Sequence, residues 1–149
     1  ETTMAQFARP SADTSIGGYK DQADGVTNIY ATIDETSPSD ADYIKSALAP
    51  ANAPYVTKLS AIEDPQSSSG HIVRYRYAKN AAGGAQIDLT VQLRQGYVNE
   101  GTPGTLIKEW THTNISEAFT TQQQTLSAGE ADSITDYSDL YLRFVANQV

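Results

Sequence analysis

The chain contains no cysteine. That absence removes three chemistries at once: a disulfide framework, a thiolate zinc site and a cysteine nucleophile. Basic charge is also scarce. Ten Lys and Arg stand against eighteen Asp and Glu, a net charge of −8. A phosphate backbone needs a clustered Lys/Arg footprint, so nucleic acid is excluded as a partner, and anionic membrane surfaces are disfavoured on the same ground. No apolar run approaches the roughly 18 residues of a membrane span. The first residues, Glu1-Thr2-Thr3-Met4-Ala5-Gln6, lack the basic and apolar regions of a signal peptide. Glu1 to Thr3 read as a non-native remnant ahead of Met4, which then reads as the start of a complete small protein without a classical export signal.

Catalytic signatures are missing as well. There are two histidines, His71 and His112, and no Gly-x-Ser-x-Gly elbow, His-Glu-x-x-His pair or phosphate-cradling glycine loop. The plain reading of both histidines is a polar residue at a sheet edge or at a loop cap. A non-enzymatic protein is expected.

What is present favours strands. The 149 residues fit one domain, with 39% hydrophobic and 19% charged residues, nine Tyr and ten Gly. β-Branched and aromatic side chains suit a pleated, half-buried surface, and Gly and Asp suit turns. Period-two alternation predicts strands at Tyr55 to Ile62, His71 to Ala78, Gln86 to Gln95, Leu106 to Thr113 and Leu140 to Ala146. Val73, Tyr75 and Tyr77 should share one face, as should Ile87, Leu89, Val91 and Leu93. These two segments read as a hairpin around Asn80-Ala81-Ala82-Gly83-Gly84. Weaker strands are expected near Ser15 to Tyr19, through Ile29, Ala31 and Ile33, and at Tyr43 to Leu48. Phe119 to Leu126, polar and rich in threonine, reads as an outer strand. Ser127 with Glu130 three residues on is a capping box, which predicts a short helix over 127–134. Eight or nine strands with one short helix indicate an all-β antiparallel sandwich resembling a jelly roll. Residues 1–14 are expected to be an N-terminal arm, and 15–149 the single sandwich domain. Neither repeat nor linker is evident.

Binding candidates follow from residue type. Asp34, Glu35, Asp40 and Asp42 bracket one turn, and Asp132, Asp136 and Asp139 precede the last strand. Calcium takes six to eight oxygen ligands, so Asp34, Asp40, Asp42, Asp136 and Asp139 are the candidates for a structural calcium. The same residues equally serve as turn formers and caps, and no other cofactor is implied. Asp21 to Gly25 hints at a calcium loop but lacks the terminal Glu of an EF-hand. Sugar-binding sandwiches stack glycans on exposed aromatics, which makes Tyr43, Tyr97 and Tyr137 the candidates; Trp110, in mid-strand, reads as core. Arg74 and Arg76 read as members of surface ion pairs.

A resemblance adds to this. Arg9-Pro10-Ser11-Ala12-Asp13, Asp34-Glu35-Thr36 and Ser39-Asp40-Ala41-Asp42-Tyr43-Ile44 resemble segments of small β-sandwich structural proteins of tailed bacteriophages and prophages. Gly70 to Arg76, Leu89 to Gly96, Trp110-Thr111-His112 and Gln124 to Leu140 extend the likeness from about Arg9 to Ala146. The resemblance implies a virion component made in the host cytoplasm, foremost a capsid decoration protein on the assembled shell. Its partners would be the major capsid protein or other virion proteins, with a homo-oligomer, a trimer among the options. Phe7, Arg9 and Pro10, in an arm that would order on contact with a neighbour, are the partner-binding candidates. The alternative is a glycan-binding module of a tail or head fibre used in host attachment.

Overall fold

The computed structural model describes residues 5–81 and 84–149. The expectations for Glu1 to Met4, and the tip of the 80–84 turn, lie outside them. The protein is all-β and antiparallel. A five-stranded sheet has the order β1-β4-β9-β6-β7, from β1 (Pro10–Ser15), β4 (Ala53–Leu59), β6 (Ile87–Gln95), β7 (Thr105–His112) and β9 (Leu140–Gln148). Two ribbons complete it: β2 (Lys20–Asp21) with β3 (Ile44–Lys45), and β5 (Ile72–Tyr77) with β8 (Thr120–Thr125).

Alternation decides how these pieces stack. On β9, Leu142 joins the larger core cluster, Ala146 joins a second, and Phe144 packs against both. These residues are two apart, so they share one face of the sheet. Leu89, Val91 and Leu93 of β6 and Tyr55 and Leu59 of β4 point the same way. The β5–β8 ribbon covers this face over β6 and β7 through Tyr75, while Tyr19, Ile29 and Ile44 cover it over β4 and β9. The result is a layer of five strands facing a layer of two ribbons. The resemblance to a jelly roll therefore reduces to stacked antiparallel layers of unequal size.

Four expectations change. The segment expected as a strand near Ser15 to Tyr19 is a turn at Gly17-Gly18 between β1 and β2. β5 and β6 do not form a hairpin. β5 pairs with β8, and β6 lies between β7 and β9. Both strands carry an apolar stripe, and the chain crosses between layers so that Tyr75 and Val91 lie in one cluster across the core. The segment at Ile29 is a 3-10 turn, Ile29–Thr32, not a strand. Asn28 enters it in the left-handed region (φ 51°), and the Asp13 carboxylate takes the N–H groups of Ile29 (2.8 Å) and Tyr30 (2.9 Å). A cap from outside the segment overrides its alternation. The N-terminal arm is shorter than residues 1–14, because Pro10–Ser15 pairs with β4 as the sheet edge. Gln6 also exchanges hydrogen bonds with Glu63.

The capping box forms as read. Ser127 N–H donates to Glu130 Oε1 (2.8 Å) and Glu130 N–H to Ser127 Oγ (3.2 Å), opening α1 (Ala128–Asp132).

Candidate functional site

Where β7 faces the β5–β8 ribbon, the inner layer changes character. Trp110 lies opposite Val91 and His112 opposite Leu89, so both point inward from the outermost strand of the sheet. Across from them, β8 pairs Gln122 with Tyr75 and Gln124 with Val73. Thr120, Gln122 and Gln124 thus occupy the inward positions of β8, where an aliphatic stripe would ordinarily stand. The seam between β7 and β8 is filled by aromatic rings and amides.

Its hydrogen bonds tie amides and an imidazole to two tyrosines. Gln124 Nε2 donates to the Tyr75 hydroxyl (3.2 Å), which lies 2.6 Å from His112 Nε2, and Gln122 Nε2 donates to the Tyr77 hydroxyl (2.9 Å). Burial pushes the Tyr75 phenol up and the His112 imidazole down. Near neutral pH both are therefore uncharged. Of the phenol and Nε2, one donates and the other accepts, according to the tautomer of the neutral ring. Rings close the floor: Tyr75 is 6.1 Å from Trp110 and 5.6 Å from His112, and Tyr77 is 5.0 Å from His112, centroid to centroid.

Four polar atoms of this seam remain uncommitted among the described residues: Trp110 Nε1, His112 Nδ1, Gln122 Oε1 and Gln124 Oε1. None is among the buried, unpartnered side-chain atoms, which are Gln22 Oε1 and His71 Nδ1. The four are therefore not fully buried: the indole N–H is a donor, the two amide oxygens are acceptors, and the imidazole nitrogen is one or the other according to its tautomer. The arrangement provides an uncharged aromatic surface edged with both kinds of hydrogen-bonding group.

His112 also ties the seam to pH. Its folded pKa lies below its ordinary 6.5, so protonation favours the unfolded chain. The stabilisation is complete above pH 6.5 and is lost as pH falls below it. His112→Gln is expected to flatten the stability profile just below pH 6.5, measured by urea unfolding; an unchanged slope would show that His112 is not the titrating group.

The residues singled out from sequence fall elsewhere. Of the glycan candidates, Tyr43 is 37% exposed, but Tyr97 and Tyr137 are 3% and 8% exposed, and neither can offer a ring face to a sugar. Tyr97 is covered because the 96–104 loop folds back over the outer face of the sheet onto Val56 and Tyr141. Tyr137 turns its hydroxyl to His71 Nε2 at 2.6 Å.

Asp40 is held by the Arg76 fork (2.6 and 2.8 Å). Asp136 accepts from Ser138, and the backbone carbonyl of Asp139 takes the Gly96 N–H. Asp34 and Asp42 form no ion pair among the described residues. No group of three or more His, Asp or Glu among the described residues is placed to hold a metal ion. Asp21 closes its own turn by accepting from Ala23 and Gly25 N–H. Phe7 is 60% exposed, with the Arg9 guanidinium 5.1 Å from its ring centre, and Pro10 opens β1.

Tyr75, Tyr77, Gln122 and Gln124 were not among the sequence candidates. Gln122 faces Tyr75 and Gln124 faces Val73 across the ribbon, a register that the run Gln122-Gln123-Gln124 does not signal by itself. Compared with family models, with curated proteins and with solved structures, the chain matches none.

Proposed function

We propose that this chain is a non-enzymatic structural protein exposed on a virus particle, and that the seam between β7 and β8 is where it contacts a neutral glycan. One observation carries the glycan contact: the indole N–H, an imidazole nitrogen and two amide oxygens, none of them fully buried, stand beside the part-buried Trp110 and Tyr77 rings. Sugar rings lay C–H faces on aromatic planes, and each hydroxyl both donates and accepts. A seam without a charged group suits an uncharged saccharide, because a carboxylate or sulfate would find no cation there. The viral setting rests on the resemblance of the segments from Arg9 to Ala146.

Titration with neutral glucan and galactan oligosaccharides, read by isothermal calorimetry for wild type and variant alike, tests the contact. A saturable change is expected, weakened about tenfold or more by Trp110→Ala, equivalent to about 1.4 kcal/mol. No response to either series, or equal binding by Trp110→Ala, would refute it.

The second reading, shell decoration with the major capsid protein as partner, is favoured by the N-terminal edge. Among the described residues β1 has no strand partner on its outer side, and Phe7 lies exposed beside Arg9 ahead of it. Self-association, as a trimer for example, fits the same role. Immunogold labelling and mass spectrometry of purified particles decide it; a protein missing from particles would end both viral readings.

A further inference from the structure

The other face of the five-stranded sheet points away from both ribbons and carries a separate polar network. Strand register sets Leu106, Arg94 and Tyr141 in one row across β7, β6 and β9, and Glu109, Gln92 and Arg143 in the next. Gln92 is the hub, only 7% exposed. Its Oε1 accepts from Arg94 Nε (2.7 Å) and from Arg143 Nη1 (3.2 Å), and its Nε2 donates to Glu109 Oε1 (2.7 Å). Two guanidiniums thus converge on one neutral oxygen.

Their remaining nitrogens fare differently. Arg143 spends Nε and Nη2 on Glu100. That carboxylate also receives the Tyr97 hydroxyl (2.7 Å) and is held below its usual pKa, first by the hydrogen bond from Arg143. Arg94 has no such partner. Its Nη1 and Nη2 meet no acceptor and form no ion pair among the described residues. They are not among the buried unpartnered atoms either, so they face solvent. The bond from Nε to a buried glutamine fixes the guanidinium in place, so little of its conformational freedom remains to be lost on binding. The neighbouring carboxylates are engaged, Glu100 by Arg143 and Tyr97, and Glu109 by Gln92. Leu106, the cross-strand neighbour of Arg94, is 43% exposed and adds an apolar shoulder.

We infer that Arg94 is a preformed site for a carboxylate supplied from outside the chain, bound through its two terminal nitrogens and oriented by Gln92. A planar carboxylate matches the fork, with two parallel charge-assisted hydrogen bonds. The source is either a small acidic sugar or an acidic side chain of a second copy; the chemistry is shared and the experiment separates them. The site lies on the opposite face of the sheet from the β7–β8 seam and does not depend on the reading of that seam.

The test is arginine Nε–Hε NMR on the labelled full chain, titrated with glucuronate, with glucose and with sulfate. Glucuronate is expected to shift the Arg94 Nε–Hε and Gln92 side-chain amide signals saturably in the millimolar range, and glucose to leave them still. Arg94→Gln should weaken glucuronate binding at least tenfold, and Arg94→Lys, which keeps the charge and loses the fork, should recover only part of it. Sedimentation of wild type and Arg94→Gln assigns the source: self-association that Arg94→Gln weakens and glucuronate competes identifies a second copy. Absence of a saturable shift, equal shifts with glucose, or a response to sulfate as strong as to glucuronate would each overturn the assignment. Trp110→Ala serves as the unaffected control.

Discussion

Truncating Tyr55 to alanine is expected to cost about 3–5 kcal/mol, as for other large aromatic-to-alanine changes in a core. The ring is 0% exposed and lies 5.8 Å from Tyr19 and 6.4 Å from Phe144, so deletion opens a cavity that strands β4 and β9 cannot close. The hydroxyl matters too. It donates to Asp13 Oδ1 (2.8 Å), the same carboxylate that caps Ile29 and Tyr30. Burial, followed by that bond to Asp13, drives the phenol pKa far up, so Tyr55 remains a donor throughout the working pH range. One side chain therefore joins β1, β4 and the 3-10 turn. Tyr55→Phe separates the two parts: the ring stays, and Asp13 keeps its two backbone donors, so a loss of only about 1 kcal/mol is expected. Urea unfolding gives both values. A cost below about 2 kcal/mol for Tyr55→Ala would show that the second cluster is not a tightly packed core, given the 5–15 kcal/mol typical of whole domains.

The sequence made Tyr55 look like any alternating residue, and this marks the boundary of what was legible. Periodicity reports which face of a strand is buried. It assigned Leu89, Val91, Leu93, Leu140, Leu142 and Phe144 correctly, because a one-residue slip would expose all of them. It carries no information about which strand lies alongside, and so β5 and β6 were joined as a hairpin although they stand in different layers. The Ile29 turn was misread for another reason: its cap, Asp13, lies 16 residues upstream, beyond any local pattern. Tyr97 and Tyr137 could not be separated from Tyr43, since a tyrosine's exposure depends on the loop that covers it. The seam was hidden by its own polarity. Gln122 and Gln124 alternate with Thr121 and Gln123, and two polar faces give no inward direction. Only the pairing of Gln122 with Tyr75 and of Gln124 with Val73 reveals that the amides point inside.

Replacing Gly104 by alanine is expected to be among the most damaging changes outside the core, at roughly 2–3 kcal/mol. Gly104 has φ +73°, and a Cβ there would stand 2.2 Å from Gln95 O and 2.7 Å from Gly96 C. Those atoms are backbone of the strand end that pairs with Thr105, so the clash is relieved only by parting β6 from β7. The loop between them would move with Gly104, carrying Tyr97 off Val56 and Tyr141 and Glu100 off Arg143. Gly70→Ala is the control: φ is +79° but nothing lies within 4 Å, leaving the backbone strain of about 1 kcal/mol alone. A second readout distinguishes loop displacement from general loss of stability. Burial, then the bond to Glu100, raises the Tyr97 pKa to about 12. In a folded Gly104→Ala chain, one additional tyrosine should titrate near the ordinary 10.0, visible as tyrosinate absorbance between the two values. A Tm within about 2 °C of wild type, with an unchanged tyrosine titration, would mean that the loop accommodates the methyl group and does not depend on the close approach of Gly104 to Gln95.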